Sequence, residues 1–273
     1  MRNATRKVLK VTYPSVTSWT WHANLFAMIE SMPEAQDWIY SNYIQVHCHL
    51  DERREGLFFE FFPTYTSILA CPLLHNQYID RKFIENKWDG WKEFFIDCID
   101  NDYYIYGVCN EKYLHNLQDN FYHELFIYGY DLNEGVFYCA DFTFSNSGKY
   151  TFTQKPIEQV CQGFADVPEQ EDYLLCGEGG IILSRLSPIQ KKPYKIEVSY
   201  LKRNLTEYLE GRNSFKHYSV LYNTEPDPDK IDDKDRRNRA FGINVYDVLS
   251  AYLNEFQDNI QPDYQTFHNL YEH

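Results

Sequence analysis

The stretch from Phe121 to Phe142, FYHELFIYGYDLNEGVFYCADF, constrains the fold more than any other part of the chain. Apolar and aromatic residues run through both halves, and Asp131-Leu-Asn-Glu-Gly135 between them carries turn chemistry. The segment therefore reads as an antiparallel hairpin, with strands over Glu124 to Tyr130 and Val136 to Phe142. Two polar residues, His123 and Asp141, interrupt its apolar pattern, where an unpaired charge is expensive. A histidine opening one strand and a carboxylate closing the next supply the base and the orienting acid of a nucleophilic triad. The plainer reading of the same two residues is a strand-capping histidine and an ordinary turn acid.

The other elements are read from periodicity. A short strand over Lys7 to Thr12 precedes a helix over His22 to Ser31, and a second helix starts near Pro33. Asn42 to Leu50 alternates as a strand, and Leu57 to Phe62 is another apolar stretch. Ile79 to Asp100 contains a helix whose stripe includes Trp88, Trp91, Phe94, Phe95 and Cys98. Tyr103 to Val108 resumes strand character, and Lys149 to Thr153 adds a further pairing. Pro156 to Phe164 is helical, Ile181 to Leu186 and Tyr194 to Tyr200 are strands, and Leu201 to Glu210 is a helix. A proline-broken acidic run from Glu225 to Asp235 reads as a flexible loop, and a last helix starts at Gly242. With no repeat and no linker between hydrophobic units, the expectation is a single α+β domain over 1–273.

Composition narrows the partners. A net charge of -14 argues against nucleic acid, whose phosphates need Lys and Arg, and suits a cationic ligand. No apolar run is long enough for a membrane span, and the basic start lacks the apolar core of a signal peptide. Seven cysteines, an odd number without a CxxC pair, indicate reduced thiols and a cytoplasmic setting.

Among possible nucleophiles, Cys139 shares a strand with Asp141, while Cys98 and Cys161 fit apolar helical faces. Cys71 precedes a proline, and Cys48 lies between His47 and His49. His47, His49 and Asp51 form a weak metal pattern without a closing ligand, so no metal is expected. No phosphate-binding glycine loop is present.

The hairpin resembles the histidine hairpin of papain-like cysteine proteases of the C39-like type, and more closely that of the butirosin-biosynthesis acyltransferase-like branch. Gly129-Tyr130-Asp131 after His123, followed by Asp141, carries the likeness, and Phe241-Gly242-Ile243 resembles the end of that domain. The resemblance implies a nucleophile helix packed on an antiparallel sheet, with the catalytic cysteine at the start of the first long helix. The matching position here is Ala23, within Trp21-His22-Ala23-Asn24. Either this is an inactivated Cys-to-Ala form or the chain is a non-catalytic relative.

The implied activity is amide-forming acyl transfer in nonribosomal peptide or related antibiotic biosynthesis, as in the amide synthetase of closthioamide biosynthesis. The acyl group would pass from the phosphopantetheine of a carrier protein, through a cysteine acyl-enzyme, to a small amine or diamine, with no other cofactor. His123 would be the base, Asp141 its partner, Asn24 and Trp21 the oxyanion side of the cleft, and Trp19, Tyr128 and Tyr130 the acyl channel. Carrier docking would use Arg2, Arg6, Lys7 and Lys10, or Lys191, Lys192 and Lys195. Peptide hydrolysis on the same fold is the alternative enzyme.

Overall fold

The computed structural model describes residues 4–51, 56–62, 67–143, 149–171, 180–187, 194–214 and 239–256. The chain forms two compact units, one of Met1–Ser31 with Ile68–Lys191 and one of Met32–Ser67 with Lys192–His273. The single-domain expectation rested on the lack of a linker. Each unit instead joins two separate stretches of chain, a division that a linear reading does not reveal.

Unit 1 is built on an antiparallel sheet, and the α+β class is as expected. Its strands are β1 (Arg6–Val8), β4 (Leu74–Ile79), β5 (Tyr104–Asn110), β6 (Tyr122–Asp131), β7 (Val136–Thr143), β8 (Lys149–Pro156) and β9 (Ile181–Leu186), and its helices α1 (Thr20–Ile29), α3 (Ser67–Ala70), α4 (Arg81–Lys87), α5 (Trp91–Asp100), α6 (Lys112–His115) and α7 (Ile157–Ala165). The strand order is β4-β9-β5-β6-β7-β8, with β1 added beside β6. β5 pairs with β6 as far as Ile127, and β1 takes over at Gly129. Only glycine fits there, because a Cβ on Gly129 would stand 2.8 Å from the Lys7 carbonyl oxygen.

Side chains alternate across a strand, so the register assigns each residue to a face. Cys109 pairs with His123, Gly107 with Leu125, and Ile127 with Cys139, which puts these residues with Phe137 and Asp141 on one face. Helices α5 and α7 cover that face: the Phe95 ring meets Phe137 at 5.6 Å, and a Cβ on Gly107 would meet Phe164 at 2.8 Å. Phe94, Phe95, Phe137 and Phe164 are at most 1 % exposed, each burial stabilising by about 1.5–3 kcal/mol. Tyr106, Phe126, Ala140 and Phe142 lie on the opposite face. There Thr20 Oγ1 and the Tyr106 hydroxyl are 2.9 Å apart, and the Tyr150 hydroxyl donates to Asn24 Oδ1 at 2.7 Å. Helix α1 therefore packs on the face turned away from α5 and α7.

Unit 2 contains α2 (Pro33–Asn42), β2 (Gln45–Asp51), β3 (Gly56–Phe62), α8 (Val198–Leu209), β10 (Arg239–Phe241) and α9 (Val245–Phe256). Its sheet runs β10-β2-β3, with Cys48, Leu57, Phe59, Val245 and Tyr252 in its core.

Two expectations change locally. The helix expected within Ile79 to Asp100 is two helices, because Gly90 turns the chain with φ 111° before α5. Residues 194–197 are not a strand: the Glu197 carboxylate accepts from the backbone N–H groups of Ser199 and Tyr200 and starts α8 instead. The acidic run at 225–235, Cys176, Arg2, Lys191 and Lys192 lie outside the described residues. Among the described residues, no helix is long and apolar enough to cross a membrane.

Candidate functional site

His123, the second residue of β6, lies on the face carrying α5 and α7, and Asp141 lies on the same face, as the hairpin reading required. Their partners differ from that reading. His123 Nδ1 is 3.5 Å from Glu111 Oε1, and its Nε2 is 3.4 Å from Glu124 Oε2. Asp141 Oδ2 lies 3.8 Å from Nε2 of a second histidine, His115, which also stands 3.6 Å from Glu111 Oε2. The pair thus becomes a five-residue cluster: Glu124 directly follows His123 in the strand, and Glu111 and His115 enter it unannounced.

Short-range structure delivers both. Glu111 sits at the N-cap of α6, and the Leu114 and His115 amides donate to its carbonyl oxygen at 3.0 Å. The four-residue spacing brings the two side chains onto one side of this turn. Asn110, fully buried at the end of β5, fixes the loop. Its Oδ1 accepts from the Lys112 and Phe121 amides, and its Nδ2 donates to Asn120 and Asp166. Asp166 also accepts from the Tyr113 hydroxyl at 2.8 Å, tying α6 to the end of α7.

Glu111 and Asp141 are both 0 % exposed, and none of their four carboxylate oxygens accepts a hydrogen bond among the described residues. Burial raises the Glu111 carboxyl above the usual carboxylate range; His123 pulls it down and Asp141 pushes it further up. At His123, burial opposes the charged form, but Glu124, Glu111 and Asp141 outweigh it and hold the imidazole up at about 9. The His123 side chain keeps 27 % of its surface exposed and stacks on Phe121 at 5.7 Å, so solvent reaches the cluster's outer edge.

The other expected site residues do not gather here. Ala23 is fully buried in α1, on the face opposite His123, so the nucleophile position and the imidazole are not brought together. Asn24 Oδ1 accepts from the Tyr150 hydroxyl, which ties α1 to the sheet face opposite His123. Trp19 and Trp21 stack on each other at 4.9 Å. Tyr128 and Tyr130 do not line a common channel. A register shift between Ile127 and Gly129 sends Tyr130 to the α5 face, where its hydroxyl donates to Asp100, while Tyr128 meets Phe152 on the other face.

Burial raises the described cysteines' thiols. Cys48, Cys71, Cys98 and Cys161 reach about 12, and Cys109 and Cys139 lie well above the usual range. None has the low pKa of an activated thiolate. In unit 2, His47 and His49 stack on β2 at 6.3 Å, and His47 faces Glu60 across β3. Asp51's side chain lies outside the described residues. Of the basic residues considered for docking, Arg6 pairs with Asp131 and Lys7 with Asp102.

No known protein family's profile matches the chain, and no curated protein matches it in sequence.

Proposed function

We propose that this chain is a non-catalytic binding protein of the acyltransferase-like class, one that holds an acyl-loaded carrier partner without forming a cysteine acyl-enzyme. The observation that carries the reading is the separation of Ala23 from His123 by the sheet itself. Alanine supplies no nucleophile, and α1 packs on the face opposite the one to which register assigns His123. That arrangement does not set a side chain at position 23 against the imidazole for the proton transfer a thiol nucleophile needs. The raised thiols of the described cysteines support the same reading, because the nucleophile would have to be a thiolate. The carrier partner and the cytoplasmic setting come from the family resemblance and the cysteine pattern alone.

A second reading keeps catalysis. It is favoured by His123, which reaches solvent with Glu111 behind it at the hairpin position that the resemblance assigns to the catalytic base. In that reading a cysteine at position 23 attacks the thioester and the carrier's pantetheine thiol leaves; an amine or diamine then attacks the acyl-enzyme, forming the amide and releasing the cysteine thiol.

One experiment separates the two. Ala23→Cys protein is incubated with acyl-loaded carrier protein and chelator, and its intact mass is followed. The binding reading expects complex formation without a covalent acyl adduct, for both this variant and the parent chain. An adduct that a diamine discharges, and that His123→Gln prevents, would overturn it in favour of acyl transfer.

A further inference from the structure

We infer that Glu111, His115 and Asp141 form a binding site for one divalent transition-metal ion of the zinc type, with His123 holding Glu111 in place from behind. Each residue offers one ligand atom, and the three lie within 4.8 Å of one another; His115 Nε2 faces Glu111 Oε2 and Asp141 Oδ2.

The spacing is informative. At 3.6 and 3.8 Å the contacts of His115 to the two carboxylates are too long for good hydrogen bonds. Ligands held about 2.0–2.2 Å from a tetrahedral ion stand about 3.3–3.6 Å from each other. The 3.6 Å contact meets that spacing and the 3.8 Å contact lies just beyond it, closer to atoms that share an ion than to atoms that share a proton.

A second, independent observation is the state of the carboxylates. Asp141 is fully buried, one oxygen facing His115, yet neither oxygen accepts a hydrogen bond among the described residues, and Glu111 is in the same condition. Two buried carboxylates beside each other, with Glu124 also at the cluster, are costly unless compensated. A dication supplies that compensation at the point where both converge.

The donor set selects the ion. One imidazole nitrogen with two carboxylate oxygens suits Zn²⁺ and its neighbours in the first transition row. Mg²⁺ and Ca²⁺ prefer oxygen donors throughout. Three protein ligands leave one position of a tetrahedron for water or another small donor.

Glu111 has one oxygen toward His115 and the other toward His123 Nδ1 at 3.5 Å. That division gives Oε2 to the ion and leaves Oε1 facing His123 Nδ1, where closing the 3.5 Å gap would give the outer-shell hydrogen bond that orients a ligating carboxylate. His123 is a positioning residue here, not a ligand. This inference does not rest on the binding reading above, since it concerns a different set of atoms.

The test uses the full chain, stripped with chelator and titrated with Zn²⁺ by calorimetry. The expected result is one ion per chain, weakened at least about tenfold in Asp141→Asn and in Glu111→Gln. His123→Gln should keep the stoichiometry and weaken binding by about tenfold or more. Glu60→Gln, in the other unit, should leave it unchanged. No binding, or binding that folded Asp141→Asn retains in full, would overturn the site.

If the substituted chains do not fold, Co²⁺ added to the parent chain decides instead. Visible absorption of a four-coordinate nitrogen and oxygen set is expected. A sulfur-to-cobalt charge-transfer band, or the spectrum of aqueous Co²⁺, would overturn the inference. Neither readout involves acyl chemistry, so failure here leaves the reading of Ala23 untouched.

Discussion

Each unit buries a histidine against a glutamate at nearly the same distance, and the two pairs keep very different company. In unit 2, His47 Nε2 is 3.7 Å from Glu60 Oε2, on directly facing positions of β2 and β3. The His47 ring lies near Phe58 and Phe241, at 6.0 and 6.2 Å. In unit 1, His115 is 3.6 Å from Glu111, but Asp141 adds a second carboxylate at 3.8 Å. One imidazole and one carboxyl group can balance each other by sharing a proton, whereas the unit 1 cluster sets three carboxyl groups, Glu111, Asp141 and Glu124, against two imidazoles, His115 and His123. Similar geometry therefore gives a structural pair in one unit and, in the other, a cluster holding two carboxylates that accept no hydrogen bond among the described residues.

The contrast breaks most visibly if the same change is made in both. Without metal, Asp141→Asn relieves carboxylate repulsion and should stabilise unit 1, while Glu60→Gln removes the partner of a buried imidazole and should destabilise unit 2, each by about 1–3 kcal/mol. Thermal melts of both variants in chelator check the opposite signs; a shared sign would erase the distinction. Zn²⁺ should then stabilise the parent chain by about 2.7 kcal/mol at a hundredfold excess over Kd, an increment kept by Glu60→Gln and lost in Asp141→Asn.

A smaller effect comes from pH in metal-free protein. The His123 pKa is raised from 6.5 to about 9 on folding. Its contribution to stability is fully present below about pH 6.5 and is lost as pH rises through about 9. Imidazole proton resonances recorded across that range measure it directly, and a His123 midpoint near 6.5 would contradict the cluster's electrostatics. The smallest effect belongs to Asp166, whose carboxyl is lowered by hydrogen bonds from Tyr113 and Lys112. Stability from this exposed link is present at neutral pH and fades as pH falls below the ordinary aspartate range. Asp166→Asn should change stability by less than about 1 kcal/mol in denaturant melts.

Much of unit 1 was legible because its elements are locally consistent. The hairpin follows from alternation on both sides of a turn, and α5 and α7 follow from aromatic and aliphatic stripes. Which face of the sheet receives α1 is not a local property. His123 and Asp141 fall on one face by parity, but only tertiary packing through Tyr106 and Tyr150 assigns Ala23 to the other. Glu111 and His115 did leave a signal, a four-residue spacing that suits one side of a helical turn. That spacing also describes any solvated turn, and burial is what sets this one apart. The parity change between Tyr128 and Tyr130 was hidden for a related reason: a single extra residue in a strand leaves its apolar pattern intact.

The way the two units share the chain sets an order for their assembly during synthesis. Residues 32–67 carry β2 and β3, yet β10, the strand that completes their sheet, is not made until after residue 238. The ribosome has by then produced every described strand of unit 1. Unit 2 must wait with its first half exposed while unit 1 has all it needs to close, so a chain stalled near Lys191 should show one protease-resistant core and one unprotected segment.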